Sequence, residues 1–426
     1  MGLLDEILSK SNLTRAYDQV VRNHGSAGTD RMQVSELKRY LQMRWGEIRS
    51  EIEHGNYQPQ PVLGIEIPKR SGGKRLLGIP TVTDRMIQQA INQVLSPIWE
   101  PEFSNSSFGF RPGRNAQQAV KQAQTHINEG YQVIIDLDLQ SFFDMVNQDY
   151  LMSLLNRKIK DRMVLKLIRK YLQAGILVNG LIQERSIGTP QGSPLSPLLS
   201  NIMLTELDKE LERRGLHFVR YADDCSIYLK SKRAAWRVKR SITRFIETKL
   251  KLKVNQKKTG IRRPVTFNLL GYAFVSTFKR GEWGKYNLRV NPARFDQLKD
   301  RIRQVTRKTS PMTFDERIRE LNSLTRGWVN YFKLATMWGK LHELDGWVRN
   351  RLRYCIWKQW KRPNRRRRAF IQLGVDPDHA FAWAYCRHSG WFISQSPMMT
   401  TTIPLERLKQ RGYISFEEVY SKIAHV

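Results

Sequence analysis

Arg220-Tyr221-Ala222-Asp223-Asp224-Cys225-Ser226-Ile227-Tyr228 sets two adjacent carboxylates between two runs of strand-forming residues. His217-Phe218-Val219 leads in and Ser226-Ile227-Tyr228-Leu229 leads out. Both flanks carry β-branched and aromatic side chains, so the stretch predicts a β-hairpin with Asp-Asp at its turn. Successive strand residues face opposite ways, which gives Asp223 and Asp224 different jobs. Two like charges side by side repel unless a cation or solvent relieves them. A bare Asp-Asp pair is most often a solvated turn. The rest of the chain argues otherwise.

Upstream, Tyr131-Gln132-Val133-Ile134-Ile135-Asp136-Leu137-Asp138 is an apolar run ending in acids, a buried strand that emerges at a site. Leu139-Gln140-Ser141-Phe142-Phe143-Asp144 follows, and helical patterning resumes at Tyr150 and continues through Tyr171. After the hairpin, a further helix is expected from Ala234 to Leu250. This order suggests a split βαβ core of ferredoxin-like type, which brings Asp138 beside Asp223 and Asp224. Three convergent carboxylates suit phosphoryl transfer with two Mg²⁺ ions, for which Mn²⁺ is a substitute. Oxygen ligands without a Cys or His cluster of ligand spacing favour Mg²⁺ over zinc.

The partner class follows from charge. Among 426 residues, 72 Lys and Arg face 39 acids, for a net charge of +33 and a pI near 10.3. Such an excess repels itself and implies a polyanionic partner, with nucleic acid well ahead of an anionic membrane. The 11 Trp, 15 Tyr and 17 Phe can fill cores or stack on bases. The three cysteines, Cys225, Cys355 and Cys386, form no CxxC pair, so neither a disulfide framework nor a structural zinc site is expected. No signal pattern opens the chain and no apolar run reaches spanning length, so the expectation is a cytoplasmic protein without a membrane partner.

Flanking segments add candidate contacts. A short helical pattern precedes Asn12, a candidate cap for a helix over 13–21. Asn23-His24-Gly25-Ser26-Ala27-Gly28-Thr29-Asp30 is a Gly-rich loop able to approach a phosphate closely. Residues 65–80 read as a hairpin around Ser71-Gly72-Gly73, bracketed by Lys69 and Arg75, cations suited to clamping a triphosphate. A helix beginning at Asp84 leads to Ser106-Ser107-Phe108-Gly109-Phe110-Arg111-Pro112-Gly113-Arg114-Asn115, where aromatic and Arg residues alternate around Gly and Pro. Beyond about residue 280 the pattern turns helical, with apolar faces through Phe295, Ile318 and Leu341. Ten basic residues lie between Arg349 and Arg368, so one side of this bundle is expected against a phosphate backbone. Residues 395–403 read as a loop or extended segment, and 405–424 as partly helical.

The order of these motifs resembles that of the reverse transcriptases encoded by bacterial group II introns. Asp138 to Asp144 resembles the first catalytic motif, Gly188-Thr189-Pro190-Gln191-Gly192-Ser193-Pro194-Leu195-Ser196-Pro197 the template- and nucleotide-facing motif, and Tyr221-Ala222-Asp223-Asp224 the second catalytic motif. Leu252 to Thr259 resembles the following palm motif, and Leu270-Gly271-Tyr272 the primer grip. The loops at 23–30 and 107–114 are similar to the family's N-terminal extension loop and a fingers motif, and Arg326-Gly327-Trp328-Val329-Asn330-Tyr331-Phe332 to part of its maturase domain.

The resemblance implies an α+β right-hand polymerase: N-terminal extension and fingers over 1–125, a palm with a ferredoxin-like core over 126–280, and a helical thumb or maturase domain over 281–426. It implies RNA-directed DNA polymerase activity together with binding of intron RNA to assist splicing and mobility. Asp138, Asp223, Asp224 and the Leu139 carbonyl would ligate metal. Lys69 and Arg75 would hold the dNTP, Gln191 would line the nascent pair, and Phe143 would stand as the steric gate against a 2′-hydroxyl. Nucleic-acid contacts are expected at Asn23, Gly25, Gly28, Arg111, Arg114, Lys258 and Gly271, and at Arg349, Arg353, Lys358, Arg365 and Arg366 in the basic region. Partners would be group II intron RNA, the RNA template/DNA primer duplex, dNTPs and target DNA, with nucleoid association when DNA-bound. Ser193 stands where the family more commonly has Gly, and its small side chain predicts little loss of activity. Neither a DNA-binding extension nor a Cys-rich endonuclease follows, which resembles the compact class. Two rivals remain: a domesticated reverse transcriptase with a host repair or defence role, and a non-catalytic RNA-binding splicing factor.

Overall fold

The computed structural model describes residues 2–68, 72–278 and 280–424, and the chain divides into two compact units, Met1–Arg263 and Pro264–Val426. The first unit opens with helices α1 (Leu3–Ile7), α2 (Lys10–Arg22) and α3 (Leu37–Glu53). Ser9, rather than Asn12, caps α2: its hydroxyl accepts from the Asn12 amide. Asn12 is buried instead, and its Nδ2 donates to the Ile7 and Ala90 carbonyls at 2.9 and 3.0 Å. A side chain expected as a helix start therefore fastens the N-terminal segment to the core.

Strands β1 (Val62–Pro68) and β2 (Lys74–Ile79) form the expected antiparallel hairpin. It is followed by α4 (Val82–Trp99), capped by Thr81, and α5 (Ala116–Asn128), which opens on a reciprocal Asn115–Gln118 capping box. Next come β3 (Val133–Leu137), the one-turn α6 (Phe142–Met145), α7 (Gln148–Lys158) and α8 (Arg162–Gln173). The single helix expected through Tyr171 is thus two. The Asp161 carboxylate accepts from the Met163 and Val164 amides at 2.9 and 3.2 Å, and this new N-cap explains the break. The short strands β4 (Ile176–Val178) and β5 (Leu181–Gln183) complete a sheet of order β2-β1-β4-β5.

Helix α9 (Ser196–Arg213) leads into β6 (His217–Tyr221), β7 (Asp224–Leu229), α10 (Lys232–Thr248) and β8 (Gly260–Arg262). Strands β6, β7, β3 and β8 form a second sheet in that order, every pair antiparallel. Val133, Ile135 and Leu137 of β3 join Cys225, Ile227 and Leu229 of β7 in one apolar core, together with Ala235, Ile242 and Ile246 of α10. Alternation then sends Asp136 and Asp138, like Asp224 and Ser226, to the opposite face.

The second unit begins with a three-stranded antiparallel sheet of β9 (Asn268–Leu269), β10 (Tyr272–Ser276) and β11 (Tyr286–Val290). The mixed α/β region expected to end near 280 is therefore shared between the two units. Long helices follow: α11 (Pro292–Val305), α12 (Phe314–Tyr331) and α13 (Trp338–Gln359). After them come α14 (Pro363–Gln372), α15 (Pro377–Ala384), α16 (Gly390–Gln395), α17 (Pro397–Thr402), α18 (Leu405–Gln410) and α19 (Phe416–Ala424). Helix α17 replaces most of the extended segment expected at 395–403, with Met399 and Thr402 buried on one face. Among the described residues no helix is long and apolar enough to cross a membrane.

Asp345, buried on α13, holds the end of the chain in place. One carboxylate oxygen accepts from Tyr413 Oη at 3.1 Å and the Phe416 amide at 2.9 Å, the other from the Glu417 amide at 2.9 Å. A carboxylate from a distant helix thereby satisfies the opening amides of α19 and sits favourably at its positive end. Asp345→Ala should cost on the order of 3 kcal/mol, because three donors lose a charged acceptor. Hydrogen exchange should show the amides of residues 416–424 losing protection first; uniform loss across the second unit would refute this local account.

Candidate active site

The strand register carries the first two carboxylates together. Leu137 pairs with Cys225 across β3 and β7, so one further step sets Asp138 opposite Asp224. Asp223 lies in the hairpin itself: Tyr221 pairs with Asp224, leaving a two-residue turn of Ala222 and Asp223. The Asp138 backbone is fixed by β8's approach, its amide donating to Thr259 Oγ1 at 3.1 Å and its carbonyl accepting from the Asn255 amide at 2.9 Å.

Electrostatics report the crowding. Asp224 is partly open to solvent, yet desolvation by its surroundings, then the charges of Asp223 and Asp138, push its carboxyl up to about 6. Lys258 opposes this, its Nζ 3.9 Å from Asp138 Oδ1, so it lies beside the carboxylates. Asp136 is occupied elsewhere, its carboxylate accepting from Arg262 Nε at 2.7 Å. Among the described residues no three acidic, Cys or His side chains close into a ready metal-holding group. Asp138 and Asp224 face each other across the ladder and Asp223 lies in the adjoining turn. An all-carboxylate donor set whose ionisation is opposed by its own neighbours fits a hard divalent cation.

What supports the turn is a buried ion pair that the sequence reading missed. Arg220, 0% exposed, donates from Nε and Nη2 to the two carboxylate oxygens of Asp208 on α9 at 2.7 and 2.6 Å. Its Nη1 reaches Asn201 Oδ1 and the Ala222 carbonyl, both at 3.0 Å. Asn201 in turn donates to the Gly109 carbonyl at 2.9 Å. A Cβ on Gly109 would lie 2.3 Å from the Ala222 nitrogen, so only glycine lets the 106–109 loop press against the turn. The available signal was a charged residue inside the apolar run of β6.

A cavity of about 530 Å³ is lined by Arg75, Gln191, Phe143, Phe110, Asn23 and Arg85, among others, and Phe110 follows Gly109, which abuts the Ala222 turn. Arg75 Nε donates to Gln191 Oε1, joining the β1–β2 hairpin to the loop before α9. Gly192 (φ +108°) packs against the Gly78 carbonyl, which a Cβ would meet at 2.9 Å. Phe142 is buried in the core, whereas Phe143 lines the cavity, the division expected of adjacent residues. Leu139 is buried and its backbone bridges to Val254. Ser193 is also buried, its hydroxyl donating to Gln88 Oε1. Lys69 lies outside the described residues. Phe110, 53% exposed, and Arg85 were not singled out individually for this wall.

Several expected nucleic-acid contacts are structural. Gly25 and Gly28 approach protein rather than phosphate: a Cβ on Gly25 would meet Arg85 Nη1 at 2.2 Å, and one on Gly28 the Thr81 Cα at 2.6 Å. Arg111, 8% exposed, is held by Glu100 and by the Ser104 and Ser107 carbonyls. Arg114 bonds Asn105 and lies over the Phe108 ring. In the second unit, Arg353 is buried and donates to the Ile403 carbonyl at 2.9 Å. Arg366 lies 4.1 Å above the Trp357 ring and donates to the Trp360 carbonyl. Arg111 and Arg353 are buried by these contacts, whereas Arg114 and Arg366 stay half-buried with part of each guanidinium engaged by protein. Lys358 and Arg365 remain exposed, Arg349 is half-buried, and Gly271 (φ +87°) turns the chain from β9 into β10.

The raised Asp224 carboxyl has a measurable consequence. The folded chain holds this proton more tightly than the unfolded chain, so its contribution to stability is present below about pH 4. That contribution is lost as pH rises toward 6. In EDTA, Asp224→Asn should therefore melt at a higher temperature than the wild type at pH 7.5 and show little gain at pH 4. Equal gains at both pH values would remove charge crowding as the cause.

Known proteins bear on the identity of this site. The profile for reverse transcriptase (RNA-dependent DNA polymerase) matches residues 67–274, and the group II intron maturase-specific domain matches residues 295–372. Protein YkfC of Escherichia coli is 32% identical over 297 residues, spanning 61% of this chain and 77% of its own length. The group II intron-encoded protein LtrA of Lactococcus lactis is 31% identical over 419 residues, covering 77% of this chain and 69% of that protein. The β6-β7-β3-β8 sheet with its carboxylate-bearing hairpin lies within the first match, and helices α12 and α13 within the second. The chain belongs to the group II intron-encoded proteins, RNA-directed DNA polymerases that carry a maturase-specific domain.

Proposed function

We propose that the chain extends a DNA primer on group II intron RNA by nucleotidyl transfer at Asp138, Asp223 and Asp224, with two Mg²⁺ ions as cofactors. The observation that carries this is the register that sets Asp138 opposite Asp224 in the sheet that ends at the Ala222-Asp223 turn, and a cavity walled by Arg75, Gln191 and Phe143 supports it. Bound divalent cations would supply activation of the primer 3′-oxygen and neutralisation of charge on the leaving pyrophosphate. The three carboxylates would hold them, with Asp138 and Asp223 as the principal ligands and the Leu139 carbonyl as a further one. Arg75, oriented by Gln191, holds the triphosphate as a fixed cation, and Lys69 is its expected companion. Phe143 lies against the sugar edge of the nucleotide and excludes a 2′-hydroxyl by contact. The exposed cations of the second unit, Lys358 and Arg365 among them, bind intron RNA through its phosphates, in support of splicing and mobility. Target DNA would be engaged by the same polymerase cleft.

Primer extension on an RNA template with Mg²⁺ and dNTPs tests this reading. Asp223→Asn should lower the rate by at least a thousandfold while the melting temperature does not fall and RNA affinity holds. Retained extension would place the chemistry elsewhere. Phe143→Ala should raise incorporation of ribonucleotides at least tenfold relative to deoxyribonucleotides; an unchanged ratio would remove Phe143 from the gate.

A further inference from the structure

Helix α10 covers the sheet that carries the carboxylates, and its outer face is strongly basic. Ala235, Ile242 and Ile246 point inward against β3, β7 and β8. On the opposite side stand Arg233, Arg237, Arg240 and Arg244, all exposed. At 100° per residue the four lie within an arc of about 60°, and they rise over about 16 Å. None of these guanidinium groups has an acidic partner among the described residues. Some exposed arginines elsewhere in the unit are paired: Arg44 with Glu47, Arg157 with Glu206 and Arg213 with Glu210. Beside the ladder stands Trp236, 62% exposed, with Lys239 Nζ 5.7 Å from its ring centroid.

A merely solvated basic face needs no tryptophan, and an apolar docking face would not carry four uncompensated charges. Four aligned cations match the charge of a phosphate backbone, and an exposed indole offers a stacking surface to an unpaired base. We propose that the outer face of α10 is a second RNA-binding surface, separate from the polymerase cleft, that grips a structured RNA strand by its phosphates and stacks one unpaired base on Trp236. This extends the proposed function and rests on it, because the RNA would be the same class of molecule that the family carries.

The test uses the full chain already loaded with a dideoxy-terminated RNA template/DNA primer, so that the cleft is filled. A fluorescein-labelled RNA stem-loop is then titrated over a range of KCl concentrations. The combined variant Arg233→Gln, Arg237→Gln, Arg240→Gln and Arg244→Gln should bind at least tenfold more weakly. It should lose up to ~3.6 units of salt slope, at ~0.9 for each duplex phosphate contact. Trp236→Ala should weaken binding of the stem-loop but not of a blunt RNA duplex. Primer extension on a short template should be unchanged in both variants. Undiminished stem-loop affinity in the four-arginine variant, with extension intact, overturns the α10 surface while leaving the polymerase reading standing. Capture by phosphatidylserine vesicles through the same arginines, without stem-loop binding, overturns it in favour of a membrane. Wild-type protein that binds the stem-loop through α10 yet extends no primer supports the surface and counts against the polymerase instead.

Discussion

Arg220 and Asp208 form an ion pair with no solvent exposure, and the β6–β7 hairpin is built on it. Removing both charges from water is costly, and a bidentate geometry with every remaining donor satisfied is what offsets that cost. The pair does more than neutralise itself. The Arg220 amide donates to the Ser106 carbonyl at 2.8 Å, and its carbonyl accepts from the Phe108 amide at 2.9 Å. One residue thereby joins helix α9, the loop at 106–109 and the turn of β6 into β7. Either charge left alone in this place would be worth about 3–5 kcal/mol of destabilisation, so the two are bound to each other's presence.

On that foundation the hairpin can carry a local penalty. Ala222 adopts φ +58°, a left-handed conformation that costs an L-residue roughly 1–2 kcal/mol. The next two side chains are carboxylates facing a third. Strain and like charge concentrate at the carboxylates proposed to hold metal, and the buried network beneath them sets their position. Stability and chemistry are divided between the two sides of one turn: Arg220 inward, Asp223 and Asp224 outward.

Much of this arrangement was legible in residue order. Alternation around Asp138 and around Asp223-Asp224 led to two adjacent strands, and the register bore this out. The hairpin at 62–79 and the core placement of Phe142 were likewise carried by local pattern. What escaped were interactions between residues far apart in sequence. Arg111, Arg353 and Arg366 looked like surface cations because charge alone marks an arginine as exposed; only the fold brings carbonyls and rings to their guanidinium groups. Gly25 and Gly28 were read as room for a phosphate, and the room is filled by Arg85 and Thr81. Asp161 interrupts an apolar periodicity too regular for the break to stand out.

The N-terminal residues illustrate how such distant ties constrain the life of the chain. Asn12 hangs from the Ala90 carbonyl, Gly28 rests on Thr81, and the Leu4 amide donates to Asp161 at 3.0 Å. The partners of Asn12 and Leu4 lie 78 and 157 residues further along the chain. Contacts of such high sequence separation meet their loop-closure entropy before they stabilise anything, so these residues are held by the folded remainder of the unit rather than by themselves.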